Sequence, residues 1–285
     1  MNLKLIKKLC SLRQNQLEKI LLKYLYSKNY KVVHKKNAYI MAEGDLPICL
    51  IAHMDTVFHH LPNDFYYDNQ RKTLWCPKGS GFDDRAGIYI ILEILEAGYK
   101  PSIIFTDQEE KGGIGAQSLI VDFKNCYFKD CRALIELDRA NKDDAVFYNC
   151  DNKDFEKFIQ SFGFKFEYGS FSDISIIAPI WEIAAVNLSV GYEDEHSGSE
   201  RLHCDWCDLT IEKVKKILNK SNQMKSYTYI PYIFNKNIYN DEIFEQKEED
   251  YCFICSQSLK NQTRYCVKEL SPYCICEECF NLYYK

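Results

Sequence analysis

The chain has 285 residues, enough for one large domain or for a medium and a small one. Apolar residues make up 46 % of it, which suffices for a buried core, and the net charge of −5 argues against a general nucleic-acid binder. It contains no run of 18 apolar residues and lysines interrupt its apolar N-terminus, so we expect neither a membrane span nor a signal peptide. The fourteen cysteines then indicate reduced thiols, some of them on metal, in a cytoplasmic protein.

Apolar residues at helical spacing predict one amphipathic helix over residues 5–26, and a strand pair follows near 31–34 and 38–42. Strands and helices then alternate. The predicted strands lie at 48–52, 102–106, 133–137 and 183–190, and the predicted helices lie at 87–97, 116–122, 154–162 and 209–218. This alternation predicts an α/β fold with a mixed, mostly parallel sheet sandwiched by helices.

The composition divides the chain into three parts. Residues 1–217 carry the alternating strands and helices and form the predicted catalytic domain. Residues 218–250 are rich in Asn, Lys, Tyr and Glu, and we interpret them as a linker or a loosely packed extension. Residues 251–285 hold six of the fourteen cysteines, which predicts a separate small module.

Polar side chains follow four of the predicted strands. They are His53 and Asp55 after 48–52, Glu109 and Glu110 after 102–106, Asp138 after 133–137, and His196 after 183–190. Ligand sites in open α/β sheets lie beyond the carboxyl ends of the strands, so we expect these groups to meet at one edge. Asp83 joins them from a glycine-rich turn that precedes a helix. Because Asp83, Glu110 and Asp138 would repel one another, two divalent cations with a bridging hydroxide balance the charge better than one.

The order of these motifs resembles that of the co-catalytic di-zinc exopeptidases, a superfamily of aminopeptidases, carboxypeptidases and related amidohydrolases. The motifs are His53-Met-Asp55, Gly79-Ser-Gly-Phe-Asp-Asp-Arg-Ala-Gly87, Glu109-Glu-Lys-Gly-Gly-Ile-Gly-Ala116, a single Asp138 and a late His196. The resemblance covers about residues 1–217. It implies that His53 and Asp138 hold one metal, that Glu110 and His196 hold the other, and that Asp83 bridges the two.

The resemblance also implies the chemistry. Glu109 would be the general base that takes a proton as a metal-bridging hydroxide attacks the scissile carbonyl. Asp55 would accept the other ring N–H of His53 and fix its tautomer. The peptide bond between Asp83 and Asp84 would be cis. Two Zn²⁺ are the expected cofactors, with Co²⁺ or Mn²⁺ as alternatives.

Short gaps separate the five motifs. They are 30, 27, 28 and 58 residues long, so none can hold an inserted domain of ~100 residues. The gaps therefore favour a compact aminopeptidase without a lid domain. The segments Gly169–Asp173 and Asn187–Tyr192 resemble pocket-lining segments of the superfamily, and we predict Asn187 and Tyr192 as substrate-binding residues. Ordinary turn chemistry is the alternative interpretation of both segments.

An aminopeptidase that acts on peptides is the predicted function, with two rivals. A carboxypeptidase or an N-acyl amino acid amidohydrolase would need an arginine to bind a substrate carboxylate, and Arg85 and Arg139 are the candidates. The other rival is a non-catalytic, metal-bound scaffold that recruits partners through the cysteine module. The presence of Glu109, the expected base, argues against that scaffold.

Two C-x-x-C pairs in the small module predict one structural Zn²⁺. Cys252 and Cys255 form the first pair, Cys276 and Cys279 form the second, and twenty residues lie between them. This spacing is typical of zinc-ribbon or treble-clef-like sites. About 35 residues bury too little apolar surface to fold alone, so a metal would stabilise the module.

Two features leave the role of the module open. Cys266 and Cys274 lie between the two pairs, and either can replace a predicted ligand or stay free. Basic and acidic residues balance within 251–285, which argues against nucleic-acid binding and favours structural support or docking of a protein partner. A further C-x-x-C, Cys204 to Cys207, precedes a predicted helix, and we expect it to pack in the core.

Overall fold

The structure is a computed structural model that describes residues 1–232. The helices are α1 Leu3–Cys10, α2 Gln14–Ser27, α3 Phe82–Glu96, α4 Ile114–Asp122, α5 Lys153–Gln160, α6 Asp173–Trp181 and α7 Cys204–Lys220. The strands are β1 Lys31–Lys35, β2 Tyr39–Glu43, β3 Leu46–His53, β4 Tyr66–Asp68, β5 Thr73–Trp75, β6 Pro101–Thr106, β7 Ala133–Arg139, β8 Asp144–Val146, β9 Lys165–Glu167, β10 Ala185–Ser189, β11 Tyr192–Glu193 and β12 Arg201–His203. Within residues 1–232, no helix combines the length and apolar character that crossing a membrane requires. The predicted zinc ligands Cys252, Cys255, Cys276 and Cys279 lie outside the described residues, as does the rest of the chain after residue 232.

Eight strands form the large sheet, in the order β1–β2–β6–β3–β7–β10–β8–β9. Its four central strands, β6, β3, β7 and β10, all run parallel to one another. Strand β8 is antiparallel to β10 and parallel to β9, and the β1–β2 pair lies antiparallel to β6 at the other edge. The four central strands are the ones that the apolar runs predict. The predicted fold class, a mixed and mostly parallel sheet, is confirmed.

Helices cover both faces of the large sheet. The side chains of Ile48, Leu50 and Ala52 in β3 point into one apolar layer, which α1, α2, α3, α5 and α7 complete. Those of Cys49 and Ile51 point into a second layer, which α4 and α6 complete. A central strand buried on both faces needs apolar residues at every position, which explains the unbroken apolar run in this segment.

The N-terminal segment forms two helices, so the predicted single helix over 5–26 was wrong. The hydroxyl group of Ser11 donates to Lys7 O at 2.8 Å at the end of α1. Arg13 has an extended backbone, and its N–H donates to Gln16 Oε1 at 3.0 Å at the start of α2. The apolar spacing continues through the break because both helices pack on the same layer. Polar capping contacts thus divide a segment that the apolar pattern alone predicts to be continuous.

A second, smaller sheet contains β11, β12, β5 and β4, in that order, and all its pairs are antiparallel. The sequence predicts none of these strands. Each contains only two or three residues, which is too short for an alternating pattern to be recognised. Helix α6 and strands β8 and β9 are also absent from the prediction, and β8 and β9 are three residues long.

Residues 221–232 pack on the body that precedes them. The side chain of Tyr227 is buried, and its ring lies 5.0 Å from the ring of Phe155. Thr228 forms an isolated antiparallel bridge with Ile183. The packed body therefore continues to the end of the described chain.

Candidate metal centre

Three neighbouring strands of the large sheet end at one edge and bring four of the predicted side chains there. His53 is the last residue of β3, and Asp138 is the residue before the end of β7. Glu109 and Glu110 begin the short 3-10 turn that follows β6. Because β6, β3 and β7 are parallel, their carboxyl ends lie side by side, and the four residues approach one another.

Two further predicted residues reach the same edge from other elements. Asp83 is the second residue of α3, with a non-helical backbone at φ −80° and ψ 106°. His196 lies in the turn between β11 and β12 of the small sheet. Its φ of 59° is in the left-handed region, which few residues other than glycine adopt. The site is therefore built from both sheets.

The five predicted ligands form two groups that share Asp83. In the first group, His53 Nε2 lies 2.9 Å from Asp83 Oδ1 and 3.4 Å from Asp138 Oδ1. In the second, His196 Nε2 lies 3.0 Å from Asp83 Oδ2 and 3.0 Å from Glu110 Oε2. Within each group, one ligand atom per residue lies within 4.8 Å of the others, which is close enough to share a cation. The two oxygens of Asp83 thus face different histidines.

Asp55 lies on the far side of His53 from the shared carboxylate. Its Oδ1 is 3.3 Å from His53 Nδ1, and its two oxygens accept the backbone N–H groups of Glu109 at 3.0 Å and Glu110 at 3.3 Å. Burial by itself raises the pKa of Asp55, but these contacts, of which the one with His53 is the largest, lower it overall. Asp55 therefore ties the histidine of one ligand group to the turn that carries Glu110 of the other.

Asp84 and Gly87 fix the start of α3. The side chain of Asp84 is fully buried and accepts the backbone N–H groups of His53 at 3.2 Å and Gly87 at 2.9 Å. Burial raises the pKa of Asp84 well above its ordinary value. A Cβ at position 87 would lie 1.8 Å from Leu137 O, so only glycine fits there. The peptide bond between Asp83 and Asp84 is cis, as the resemblance implies.

Burial and mutual contacts shift the pKa values of the carboxyl groups and the histidines in the two ligand groups. Burial and the charge of Asp83 raise the pKa of Asp138 to about 7, against the attraction of His53. Hydrogen bonds to Asp83 and Glu110 raise the pKa of His196 to about 11. Burial by itself raises the pKa of Asp83, but hydrogen bonds with His196 and His53 lower it overall. Without a cation, protonated imidazoles supply the positive charge that these carboxylates need.

The donor set fits divalent metal ions. Imidazole nitrogens and carboxylate oxygens are the ligands that Zn²⁺ takes in catalytic sites. Each group supplies one imidazole and two carboxylates, counting the shared Asp83 in both. A divalent ion in each group would replace the protons as the source of positive charge.

Glu109 belongs to neither group, although it precedes Glu110 directly. Burial raises the pKa of its carboxyl to about 9, and the negative charge of Asp138 adds to the rise. Its backbone is held through the hydrogen bond to Asp55. Glu109 is thus a buried carboxyl group that directly precedes a candidate ligand and belongs to neither candidate group.

Solved structures of peptidases share this fold. A tripeptidase from Staphylococcus aureus superposes with a TM-score of 0.65 at 15 % identity over 77 % of this chain and 97 % of its own. Aminopeptidase PepT from Bacillus cereus gives 0.61 at 15 % identity over the same shares. The TET1 peptidase of Pyrococcus horikoshii gives 0.55 at 14 % identity over 75 % of this chain and 98 % of its own. The chain has the aminopeptidase fold. No family model and no curated protein sequence matches it.

Asn187 and Tyr192, the predicted substrate-binding residues, lie against Asp138 within this aminopeptidase fold. Asn187 Oδ1 accepts the backbone N–H of Asp138 at 3.0 Å, and its Nδ2 donates to Tyr148 Oη at 3.1 Å. The hydroxyl group of Tyr192 donates to Asp138 O at 2.8 Å. Both side chains are buried. Their contacts fix the main chain that carries Asp138.

The two candidate arginines have contacts outside the two ligand groups. The side chain of Arg85 is 2 % exposed and donates to Leu12 O at 3.5 Å. Arg139 follows Asp138 in β7, and its Nε lies 3.7 Å from Asp144 Oδ2. Arg85 is thus buried, and Arg139 already has an acidic partner.

Two buried carboxylates lie near Glu109, and the sequence points to one of them only through the segment Gly169–Asp173. Asp173, the first residue of α6, is fully buried and accepts a hydrogen bond from Thr106 Oγ1. Glu136, in the middle of β7, accepts a hydrogen bond from Ser172 Oγ. Burial raises the pKa of Glu136 well above its ordinary value. A single acidic residue in an apolar strand does not indicate which side chain it will meet.

A third carboxylate, Glu200, connects the two parts of the site. It follows His196 by four residues and is fully buried. Its oxygens accept backbone N–H groups from the loop that leads to Asp83. A glutamate in a polar turn is ordinary in a sequence, so only the tertiary contact distinguishes it.

Proposed function

We propose that this chain is a metal-dependent aminopeptidase with two catalytic Zn²⁺, for which Co²⁺ or Mn²⁺ can substitute. The observation that carries the proposal is the pair of ligand groups that share Asp83. The donor types fit Zn²⁺, and two divalent ions offset the carboxylates that otherwise hold protons. The peptidases with this fold support hydrolysis of a peptide or amide bond.

In this proposal, each ligand group holds one ion. His53 and Asp138 would hold the first ion, Glu110 and His196 would hold the second, and Asp83 belongs to both groups. When bound, such a pair of ions lowers the pKa of a shared water molecule and polarises the scissile carbonyl group. The distances of 2.9 to 3.4 Å between the histidine nitrogens and these carboxylates support the assignment.

Glu109 and Asp55 have the remaining roles. Bound cations would offset the charge of the neighbouring carboxylates and lower the pKa of Glu109, which leaves its carboxylate able to accept the proton of the attacking water. Glu109 would then return that proton to the leaving amine. Asp55 would accept the Nδ1–H of His53, which keeps the Nε2 lone pair free for a metal.

The charges around the site favour an aminopeptidase over its enzyme rivals. A free α-amino group is cationic, and the carboxyl groups of Glu109 and Asp173 lie beside the ligand groups, where bound cations would favour their ionised form. A carboxypeptidase or N-acyl amino acid amidohydrolase needs a cationic side chain for the substrate carboxylate. Arg85 is buried and Arg139 pairs with Asp144, which argues against both rivals.

One substrate screen tests this proposal. The full chain, loaded with Zn²⁺, should hydrolyse amino-acid amides and short peptides with a free amino terminus, and should leave N-acylated amino acids intact. Preference for N-acylated amino acids would support the amidohydrolase alternative. Absence of hydrolysis in all classes, with two metal ions bound in the centre, would favour the non-catalytic scaffold.

Three further predictions belong to the same proposal. One structural Zn²⁺ would bind in the module over 251–285 through the two C-x-x-C pairs. A protein partner would dock on that module, and the balanced charge argues against nucleic acid there. The cytoplasmic location remains a prediction from the cysteine content.

A further inference from the structure

The turn that carries His196 is held at its base by charged pairs. Glu193 in β11 pairs with Arg201 in β12, and the guanidinium group of Arg201 lies 2.9 Å from the carboxylate of Glu193. Arg201 also forms an ion pair with Asp194. These contacts close the hairpin, but none of them reaches the rest of the metal centre. Besides the direct contact of His196 with Asp83, a second contact joins the end of this turn to the segment that leads to Asp83.

Glu200 makes that second contact. Its Oε2 accepts the backbone N–H groups of Ser80 at 2.8 Å and Gly81 at 2.6 Å, and its Oε1 accepts the backbone N–H of Asp83 at 3.1 Å. The three donors belong to one short loop, and the acceptor belongs to the end of the His196 turn. The carboxylate thus connects the segment that carries His196 with the segment that carries Asp83. These two residues contact each other in the second ligand group.

The loop before Asp83 is shaped to receive a carboxylate. Gly79 and Gly81 have φ values of 100° and 68°, in the left-handed region. Successive backbone N–H groups in a turn form an anion-binding concavity when they point to one side, and those of Ser80 and Gly81 both point to Glu200. A Cβ at position 79 would lie 2.1 Å from the ring of Phe58, so this shape depends on glycine.

The energetics make the contact specific. A buried carboxylate is costly unless hydrogen bonds replace its hydration, and Glu200 is 0 % exposed. Three backbone donors satisfy it. Loss of the acceptor would in turn leave those three N–H groups without this partner in a buried place. The loop and the turn are therefore stable together in one arrangement.

We infer that Glu200 is a positioning residue that fixes Asp83 relative to His196 and so sets the affinity of the centre for its second metal ion. The inference rests on the proposed function, since it takes Asp83 and His196 as ligands. Metal sites lose affinity when ligands shift by about 0.5 Å, and residues that orient ligands commonly change metal affinity or activity by about 10- to 100-fold.

Two variants of the full chain, Glu200→Gln and Glu200→Asp, test this role. Competition with a chromophoric chelator measures the Zn²⁺ dissociation constants, and steady-state kinetics on an amino-acid amide give kcat and KM. In Glu200→Gln, we expect one ion of the pair to bind about 10- to 100-fold more weakly. We expect kcat to fall at saturating Zn²⁺ while KM changes by less than about 3-fold, because the residue touches no substrate. Glu200→Asp retains the charge and should recover part of both losses.

Glu193→Gln is the matched comparison, because it removes a carboxylate from the same hairpin without a contact to the Asp83 loop. We expect a lower Tm in Glu193→Gln but Zn²⁺ affinities within about 3-fold of the unmodified chain. If Glu193→Gln weakens Zn²⁺ binding as much as Glu200→Gln does, hairpin stability alone explains the effect, and the inference is wrong.

The remaining outcomes also decide the question. Unchanged Zn²⁺ affinities and kcat in Glu200→Gln would overturn the inference and leave the proposed function intact. If Glu200→Gln does not fold, Glu200→Asp decides: unchanged affinities there would equally overturn the role. If the unmodified chain binds no ions at the two ligand groups, the proposed function itself fails.

Discussion

The large parallel sheet and the small antiparallel sheet contribute to the metal centre in different ways. The large sheet presents His53 and Asp138 at the ends of buried strands, so their positions follow from the strands themselves. The small sheet presents His196 in the turn of a short hairpin, where the side chain is 49 % exposed. A ligand at the end of a core strand is held by the core, whereas a ligand in a turn needs additional contacts to hold it.

This difference predicts two unequal metal positions. The first group, His53 and Asp138 with Asp83, has buried side chains, and that of His53 is 1 % exposed. The second group contains Glu110 and His196, which both come from turns. We expect the ion of the first group to bind more tightly, because less conformational entropy is lost when its ligands are already fixed.

Removal of the metal ions should change the hydrolytic activity most. Purified full chain should contain about three Zn²⁺ per chain, two in the centre and one in the cysteine module. Chelation should abolish hydrolysis, and stepwise removal should release the ion of the His196 group before that of the His53 group. Elemental analysis and activity during a chelator titration measure both. A content of one Zn²⁺ per chain would contradict the two-metal centre.

The variant Glu109→Gln should lower kcat by about 10²- to 10⁴-fold, because it removes the group that transfers the proton. Zn²⁺ content should not change, since Glu109 belongs to neither ligand group. Steady-state kinetics and elemental analysis of the same preparation check the two parts. Glu43→Gln, at the end of β2 and away from the carboxyl end of β6, is the matched control and should behave as the unmodified chain. Normal turnover in Glu109→Gln would exclude the residue as the base.

The variants His53→Ala and His196→Ala compare the two sheets directly. Each should lose one Zn²⁺ and most activity. His53→Ala should also lower the Tm of the metal-free protein by about 5 °C or more, because it removes a buried side chain and leaves Asp55 without its partner. His196→Ala should lower it by less than His53→Ala does, because the side chain is half-exposed and solvent screens its ion pairs with Asp83 and Glu110. Differential scanning calorimetry measures both, and equal shifts would remove the distinction between the sheets.

The smallest expected effect is the change in the free energy of unfolding with pH. Burial raises the pKa of Glu109 to about 9, that of Asp138 to about 7 and that of Asp173 to about 6. The unfolded chain loses these protons near pH 4, so from about pH 5 to 8 the native state binds more protons than the unfolded state. The free energy of unfolding then falls as pH rises. His196, with its pKa raised to about 11, acts in the same direction, while Asp83 with its lowered pKa adds no slope in this window.

Thermal unfolding at several pH values measures this slope. The Tm of the chelated protein should decrease from pH 5 to 8, and Zn²⁺ should reduce the decrease because it replaces the protons at the site. Asp138→Asn removes one of the raised carboxyl groups and should flatten the slope of the chelated protein. A Tm that rises with pH in the chelated protein would contradict the proton balance described for the centre.

Much of the large sheet and of the candidate site is predictable from the chain. Apolar runs predict β3, β6, β7 and β10, and the polar residues after β3, β6 and β7 are the ones that meet at the sheet edge. His196 follows β10 through the β11–β12 hairpin, whose strands are too short to be recognised. A prediction from apolar runs succeeds where the strand that gives the run also carries the functional residue at its end.

The sequence by itself determined the alternating α/β architecture and the identity of the five residues that form the two candidate ligand groups, because buried strands need apolar runs and ligands need particular side chains. Only the tertiary structure decided that Glu200 connects two loops, that Arg85 is buried, and that Asn187 and Tyr192 hold Asp138. These contacts join residues far apart in the chain and depend on three-dimensional distance, for which a one-dimensional pattern carries no signal.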